Sequence, residues 1–277
     1  MRRTLLNLFA PWILILSCWV FPQEPARVGF DHEHGVLTRV LASHVHEDRV
    51  DYLELSRARG DLDMYLTSLT SQDALDFAQW SKPEQFAFWI NAYNAFTLQA
   101  VLLNYPLDPL ESLRDVGSKE SGAVWKRKNL RLGHLLAGHP AAEISLDELL
   151  NLVLREKFKD ARVHAALNNS CLGAPALRAT AFSAAGLDRE LDAAARAWMA
   201  DPSRTKFEAA TRSVAASVAF DNFQSDFVRE SGSAQAWIAR YAPLSERAWI
   251  EAPGKPLERK NLAFDWKLND IERGAVK

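Results

Sequence analysis

Cysteine is scarce in this sequence, and neither sign of charge is in excess. The 277 residues include two cysteines, Cys18 and Cys171, and Cys18 lies in an N-terminal segment with the pattern of an export signal. Cleavage of that segment or lipidation of Cys18 would leave Cys171 as the only thiol, which excludes an intramolecular disulfide in the mature chain. The formal net charge is -2, and Lys and Arg are scattered among Asp and Glu. The sequence therefore lacks the basic stripe of a nucleic-acid-binding protein, and no nucleic-acid partner is predicted.

Internal repeats, low-complexity tracts and linkers rich in Pro, Gly or Ser are also missing, so nothing in the sequence divides the chain into domains. Hydrophobic residues make up 48% and charged residues 25%, and nine Trp and fourteen Phe are enough for a large core. These features predict a single domain over residues 28–270. Because disulfides are excluded, its stability must come from packing.

The N-terminal segment, residues 1–24, differs from the rest of the chain. Arg2 and Arg3 precede a mostly apolar run over residues 5–21. A basic start followed by such a run is typical of a secretory signal, so we expect export to the periplasm or cell envelope. The four residues that end at Cys18, Ile-Leu-Ser-Cys, also resemble a bacterial lipobox. A cleaved signal peptide, a lipoprotein signal and an uncleaved anchor all stay open, and membrane contact is expected through this segment only.

The rest of the chain is organised around a predicted helix over residues 81–104. Ser81 and Glu84 have the spacing of a capping box, which marks a helix start. Apolar residues follow on all sides of the helix, so it is expected to be buried. Asn91 and Asn94 lie on it one turn apart, and a buried amide without a partner costs roughly 1–3 kcal/mol. They are expected either to bind neighbouring backbone or to line a ligand site.

Periodicity and capping signals predict the other elements. Helices are expected from about residue 30 to 46 and at 62–69, 71–80, 145–155 and 187–199. A short hairpin is expected at 124–132 and 135–137, and a half-buried strand at 162–167. The fold class that follows is α+β: a mainly helical single domain, with a small β-sheet that includes strand 162–167, around the buried central helix.

The loop at residues 168–175 follows this strand and is rich in small polar residues. Backbone N–H groups in such a loop can point at one spot and bind an anion or oxyanion, and Asn168 and Asn169 are candidate ligand-binding residues. Cys171 lies in the same loop and His164 in the strand before it. They are candidates for a catalytic nucleophile and its base, although a free Cys and a lone His are more often structural.

Four histidines lie near the start of the predicted domain: His32, His34, His44 and His46. Their spacing matches no established metal-ligand motif, and alternating histidines on a surface helix or turn are usually solvated. We therefore predict no metal site and no cofactor.

The chain resembles the bacterial and plant family catalogued as domain of unknown function 547. The resemblance covers nearly all of the predicted mature chain, and the run Phe-Trp-Ile-Asn-Ala-Tyr-Asn-Ala at residues 88–95 is its most specific part. Further matching stretches lie at residues 30–32, 49–52, 144–148, 154–155, 162–168, 175–178, 221–227 and 265–269. The family has no established reaction, and fusion of some plant members to coiled-coil segments suggests interaction roles.

The chain departs from the family pattern at three places that carry reactive side chains in its relatives. The resemblance places cysteines at the positions of Asn169 and Ala174. It also places Ile-Glu-His at residues 149–151, where this chain has Leu-Leu-Asn. A Cys, a His and a Glu in one pocket would resemble a thiol nucleophile, its base and an orienting group. This divergent member cannot perform thiol chemistry in that arrangement.

Three functions are compatible with the sequence. Joint loss of these positions favours an exported domain that binds a small molecule or an envelope protein, in a pocket lined by Asn91, Asn94, His164 and Asn168. The alternative is a hydrolase or acyl-transfer enzyme that uses Cys171 with His164, or Asp226 and His32 as acid and base. The third is a purely structural protein of the cell envelope.

Overall fold

The computed structural model describes residues 29–107, 113–116 and 123–271. The predicted export signal of residues 1–24, with Cys18, lies outside these residues. About 52% of the structure is helical, with two small sheets, which confirms a mainly helical α+β single domain. Within the described ranges, none of the helices has both the length and the hydropathy of a membrane-spanning segment.

The elements follow one another with short connections. In the first part of the chain they are α1 (Gly35–His44), β1 (Val45–His46), β2 (Arg49–Val50), α2 (Tyr52–Arg57), α3 (Gly60–Thr70), α4 (Ala74–Gln79) and α5 (Lys82–Leu102). The middle part contains α6 (Ala123–Lys126), a 3₁₀ turn (Gly133–Leu135), α7 (Leu146–Glu148), a π-helical stretch (Leu149–Phe158) that continues α7, α8 (Val163–Ala166) and α9 (Leu187–Ala200). The last part contains β3 (Thr205–Glu208), β4 (Ser213–Ser217), α10 (Ala219–Asn222), α11 (Gln224–Ser231), α12 (Ala234–Tyr241), α13 (Leu244–Glu251) and β5 (Glu258–Leu262).

Helix α5 is the predicted central helix. The backbone N–H of Glu84 donates to the Ser81 hydroxyl, and the backbone N–H of Ser81 donates to the Glu84 carboxylate, so the predicted capping box is present. Every residue from Phe86 to Thr97 is buried. The helix packs against α2, α3, α7 and the π-helical stretch. Its apolar surface on all sides is therefore covered, and it forms the centre of the core.

The two sheets lie elsewhere than predicted. Strands β1 and β2 form an antiparallel pair, with Val45 opposite Val50. Strand β4 is the middle of a three-stranded sheet, antiparallel to β3 and parallel to β5, with Val214 opposite both Phe207 and Arg259. Both sheets come from stretches that the sequence analysis did not predict as strands.

The predicted strand at 162–167 is wrong, because this stretch forms the short helix α8. Val163, His164, Ala165 and Ala166 are all buried, so the alternation of the sequence does not correspond to an inner and an outer face. A short apolar run has no periodicity that separates a strand from a buried helix, and alanine favours the helix.

The predicted hairpin over residues 124–137 is also wrong. Its first part is helix α6, and Leu130 pairs with Ile144, further along the chain, in an isolated antiparallel bridge. Leu130 and Leu132 are buried. Their apolar alternation reflects anchoring of a loop to the core rather than pairing within a hairpin.

Candidate functional site

A cavity of about 430 Å³ lies beside α5, where α6, α7, the π-helical stretch, α8, α9 and α10 approach one another. Its size is near the lower end of the range for small-molecule sites. The wall consists of Tyr93, Arg114, Trp125, Asp147, Leu150, His164, Leu167, Asn169, Ala174, Pro175, Trp198, Ser217, Val218, Ala219, Asn222, Phe223, Phe264 and Trp266.

The cavity has a buried floor and a partly exposed rim. The buried residues of the wall are here called the floor, and they are Tyr93, Trp125, His164, Leu167, Ala174, Trp198 and Ser217. The other wall residues form the rim, and Asn222 among them is exposed. The aromatic rings of the floor all carry a polar atom. A ligand would therefore find an apolar lining with a few fixed hydrogen-bonding groups, as in most small-molecule sites.

His164 is held in a network of charged side chains around the buried carboxylate of Asp226. Its Nε2 lies 2.8 Å from Asp226 Oδ2, and its ring stacks on Phe223 with the centroids 4.4 Å apart. Arg155 Nε donates to the same carboxylate oxygen at 2.6 Å. Arg229 Nη2 donates to Asp226 Oδ1 at 3.1 Å. The network connects α8, the π-helical stretch and α11, and it fixes the imidazole against the cavity.

The protonation states of this network follow from its geometry. Burial alone would raise the pKa of Asp226, but the hydrogen bonds from His164 and Arg155 hold it well below its usual range. Burial lowers the pKa of His164, and the charges of Arg155 and Arg229 act in the same direction, although Asp226 opposes them. An ionised carboxylate only accepts hydrogen bonds, so Nε2 of the neutral ring carries the proton. Nδ1 is then an acceptor.

Two floor groups have hydrogen-bonding capacity that the described residues do not use. Neither His164 Nδ1 nor the Tyr93 hydroxyl makes a hydrogen bond to a described residue, and neither atom is sealed from solvent. Burial raises the pKa of Tyr93, and the charge of Asp147 raises it further, so the phenol stays protonated. The floor therefore offers one donor and one acceptor.

Two further floor groups are enclosed donors. The indole nitrogens of Trp125 and Trp198 are buried and have no hydrogen-bond partner among the described residues. A buried donor without a partner costs about 1–3 kcal/mol, and native structures contain few of them. Both indole nitrogens belong to residues of the same cavity wall, so a ligand or water in the cavity is a candidate partner for them.

The rim carries both signs of charge. The Arg114 guanidinium lies over the Trp266 ring, 4.9 Å from its centroid, and 3.1 Å from the Asp115 carboxylate. Burial raises the pKa of Asp147, and Lys126 partly opposes this shift. Arg114 and Asp147 thus place a cation and a carboxyl group on the rim of the cavity.

Asn91 and Asn94, two predicted ligand-binding residues, do not belong to the cavity wall. Asn91 Nδ2 donates to the Phe182 carbonyl at 2.8 Å, and the Phe182 N–H donates to Asn91 Oδ1 at 3.0 Å. Asn94 likewise donates to the Ala166 carbonyl at 3.0 Å and accepts from the Asn168 N–H at 3.0 Å. Both amides bind neighbouring backbone, which was one of the two expectations from the sequence.

The structure separates the two asparagines of the loop after α8. Asn168 donates to the Pro175 carbonyl at 2.7 Å and accepts from the Ser170 N–H at 2.8 Å, so it shapes the loop from inside. Asn169 is part of the rim. Its Oδ1 accepts from the Cys171 N–H at 3.3 Å, and its NH₂ group makes no hydrogen bond to a described residue. Asn169 is therefore the predicted asparagine that reaches the cavity.

The same loop offers no cradle of free amides for an oxyanion, so that expectation is wrong. The N–H groups of Ser170 and Cys171 donate to the side chains of Asn168 and Asn169. Those of residues 172 and 173 donate to the carbonyls of Lys267 and Asp265, and that of residue 174 donates to the Cys171 carbonyl. These bonds anchor the loop to the C-terminal segment.

Cys171 and His164 are not brought together as a nucleophile and its base. The Cys171 side chain is fully buried, and its Sγ lies 3.7 Å from the Asn169 carbonyl oxygen. Burial raises the pKa of the thiol to about 12, although Arg114 opposes this shift. An activated thiol needs a lowered pKa, and His164 bonds to Asp226 instead.

The four N-terminal histidines do not form a metal site in the structure. His34 is buried and bonds to the Tyr65 hydroxyl through Nδ1 at 2.7 Å. His32 packs against Trp80 and lies 3.6 Å from the Glu84 carboxylate. Among residues 29–107, 113–116 and 123–271, no three His, Cys, Asp or Glu side chains are grouped as metal ligands. His32 is not the partner of Asp226 either, since that partner is His164.

The departures from the family pattern meet in space. Asn169, Ala174 and Leu150 all belong to the cavity wall. Asn151, the next residue along the helix, accepts from Arg155 Nη1 at 2.7 Å. Three of the altered positions therefore line the cavity, and Asn151 contacts the arginine that bonds to Asp226.

The sequence analysis did not predict that Tyr93, Trp125 and Trp198 line the cavity, because aromatic residues at helical spacing are equally typical of a core. It named Asp226 but not its partner. The stretch around Asp226 carried one usable signal: an acidic residue between Phe223 and Phe227, at helical spacing, needs a buried partner.

Comparison with protein families gives a match over part of the chain. The model of the family described as "Protein of unknown function, DUF547" matches residues 77–199. No curated protein and no solved structure matches the chain. The matched range includes Tyr93, His164 and Asn169, whereas Asp226 lies beyond it.

Proposed function

The chain belongs to the DUF547 family of proteins of unknown function, and on this premise we propose that its cavity binds a small organic molecule. The expected ligand has an apolar or aromatic body and one polar group that both accepts and donates a hydrogen bond. The observation that carries the proposal is a pair of unused groups that are not sealed from solvent on a mostly apolar floor, the Tyr93 hydroxyl and His164 Nδ1. Apolar walls with a few convergent polar groups are the usual form of a ligand site.

The chemistry of the floor supports a neutral ligand. His164 is neutral and accepts, and Tyr93 stays protonated and donates. A carbonyl oxygen would be a partner for the phenol, and an N–H or O–H would be a partner for the imidazole. Aromatic rings of the floor and rim would cover the apolar body, and each buried methylene contributes about 0.8 kcal/mol.

Acetanilide is a suitable probe, because it has a phenyl ring, a carbonyl oxygen and an amide N–H. In a proton–nitrogen NMR titration, we expect it to shift the indole signals of Trp125 and Trp198, which line the cavity. Trp237 and Trp249 donate to Glu230 and Glu246 outside the wall, and their signals should stay in place. Isobutylbenzene, of similar shape without polar atoms, should bind more weakly.

Two substitutions on the π-helical stretch provide a matched pair. Leu150→Trp places a large side chain at the cavity rim and should abolish the shifts. Leu152 lies on the same helix, is 49% exposed and is not part of the wall, so Leu152→Trp should leave them unchanged. Equal responses of all indole signals, or the same titration with both variants, would contradict a ligand site in this cavity.

We further propose that the domain works outside the cytoplasm, in the periplasm or cell envelope. The support is the sequence of residues 1–24, with Arg2, Arg3 and the apolar run that follows. Mass spectrometry of the purified protein tests this proposal. Loss of the segment or a lipid on Cys18 would support it, whereas an intact N-terminus in the cytosolic fraction would contradict it.

A further inference from the structure

We propose that His164 is a general base and that the protein hydrolyses carboxylic esters whose apolar parts fit the cavity. The inference rests on the proposed ligand binding and adds a reaction at the same floor. Its basis is the position of one imidazole, which lines the cavity, contacts a buried carboxylate through Nε2 and leaves Nδ1 without a hydrogen bond to a described residue.

Asp226 gives the imidazole the orientation and tautomer that a general base needs. Its carboxylate accepts from Nε2 at 2.8 Å, which leaves the lone pair on Nδ1. When Nδ1 takes a proton, the imidazolium forms next to this anion and is stabilised by it. Arg155 and Arg229 keep Asp226 ionised by bonding to both of its oxygens. Asp226 is therefore a positioning residue, and His164 is the catalytic one.

The cavity also has donors for the carbonyl oxygen of an ester. The Tyr93 hydroxyl is on the floor, and the NH₂ group of Asn169 is on the rim of the same cavity. Both are neutral donors that the described residues leave unused. Tyrosine and asparagine side chains are among the groups that stabilise oxyanions in acyl-transfer sites.

The reaction needs only the ester and water. Nδ1 of His164 removes a proton from a water molecule as the water oxygen attacks the carbonyl carbon. The carbonyl oxygen becomes an oxyanion held by Tyr93 and Asn169. The C–O bond to the alcohol part then breaks, and the imidazolium returns its proton to the leaving oxygen. The products are a carboxylic acid and an alcohol, and the histidine is neutral again.

Water, rather than a protein nucleophile, fits this site. Cys171 is buried outside the cavity wall, and burial raises the pKa of its thiol to about 12. Ser217 is on the floor, but its hydroxyl oxygen accepts from the Ala219 N–H at 3.2 Å and has no hydrogen bond to His164. The imidazole is therefore expected to act on water directly.

Phenyl acetate, the ester counterpart of acetanilide, is the test substrate, and release of phenol is measured. General acid–base catalysis typically contributes at least about 100-fold, so His164→Ala should lower kcat/KM by about that factor or more. Added imidazole should restore part of the activity to His164→Ala, which a purely structural histidine would not allow. The wild-type reaction should also be slower in D₂O, because a proton moves in the rate-determining step.

Three variants separate catalysis from folding and from other nucleophiles. His164→Gln keeps an N–H donor for Asp226 without a basic nitrogen, so it should bind acetanilide and fail to hydrolyse phenyl acetate. His134 is an exposed histidine that bonds to the Gln72 carbonyl, and His134→Ala should be as active as the wild type. Cys171→Ala should be fully active as well.

The possible results distinguish the two proposals. Shifts with acetanilide but equal hydrolysis by wild type, His164→Ala and His164→Gln would overturn catalysis and leave ligand binding intact. An acetyl group found on Cys171, or loss of activity in Cys171→Ala, would overturn direct attack by water. Failure of both the acetanilide shifts and the hydrolysis would overturn the ligand site itself.

Discussion

His34 combines two unusual features at the scale of a single residue. Its side chain is buried against Tyr65 and Phe30, and its backbone has a φ of 51°, in the left-handed region. Burial lowers the pKa of the imidazole to about 4, and His32 adds to this effect, although Asp31 opposes it. The folded protein therefore holds this histidine neutral at pH values where the unfolded chain would bind a proton.

This difference predicts a pH dependence of the free energy of unfolding. The unfolded histidine titrates near 6.5 and the folded one near 4, so stability should fall as the pH drops from about 6.5 to 4. The contribution of His34 is up to about 1.4 kcal/mol per pH unit in that window and is constant above it. His34→Asn suits the left-handed backbone and removes the titration. Urea unfolding at pH 7, 6 and 5 should give a shallower slope for this variant, and an unchanged slope would contradict the assignment.

At single residues, the sequence predicts burial better than it predicts hydrogen-bond partners. The burial of Asn91 and Asn94 was predictable, because they lie on a helix with apolar residues on all sides. Whether their partners would be backbone or ligand was not predictable, since Phe182 and Ala166 are distant along the chain. Asn169, a ligand-binding candidate from the sequence, lies in the rim of the cavity, and its role as a ligand-binding residue stays a prediction.

Helix α5 shows what can be read at the scale of an element. Its start was predicted from Ser81 and Glu84, which interact within one turn. Helix α8 shows the opposite case. Residues 162–167 have no side-chain cap at the start of the helix, and packing in the core decides their conformation. Strand β5 was missed because its pairing with β4 joins stretches that are distant in the sequence, and most of its residues are charged or exposed.

The amides on α5 should stabilise the packing of this element measurably. Asn91→Ala removes both partners of the buried Phe182 peptide groups, and a buried group left without a partner costs about 1–3 kcal/mol. We expect a loss of at least about 2 kcal/mol in the free energy of unfolding. Asn104→Ala, at the end of the same helix, removes one partly buried local bond to the Ala100 carbonyl and serves as the control, with a loss of about 1 kcal/mol or less. Equal losses in the two variants, measured by urea unfolding, would contradict a special role for Asn91.

At the scale of the whole molecule, the cavity is assembled from stretches that are far apart in the chain. Its floor and rim include Tyr93 from the central helix, His164 from α8 and Trp266 from the C-terminal segment. The partner of His164, Asp226, comes from yet another helix. Hydrophobic periodicity reports which face of one element is buried, but it does not report which elements meet. A cavity near the residue 88–95 motif and the loop at 168–175 could therefore be predicted, whereas the set of residues that line it could not.

The C-terminal segment, residues 263–271, closes this assembly. Asn269 is fully buried and accepts from the Tyr52 hydroxyl at 2.8 Å, and its backbone carbonyl accepts from the Val50 N–H. Phe264 and Trp266 of the same segment form part of the cavity rim. The segment thus connects β2 and α2, at the start of the domain, to the loop after α8 and to the cavity.

Removal of this segment should therefore affect stability and binding together. A chain that stops after Leu262 loses the Asn269 contacts, the carbonyls of Asp265 and Lys267 that hold the loop after α8, and two aromatic rings of the rim. We expect a lower midpoint of urea unfolding and no acetanilide-dependent shift of the Trp125 indole signal. A chain that stops after Ile271 keeps every one of these contacts and is the matched control. Equal unfolding midpoints and equal acetanilide shifts in the two truncated chains would contradict a contribution of residues 263–271 to stability and to ligand binding.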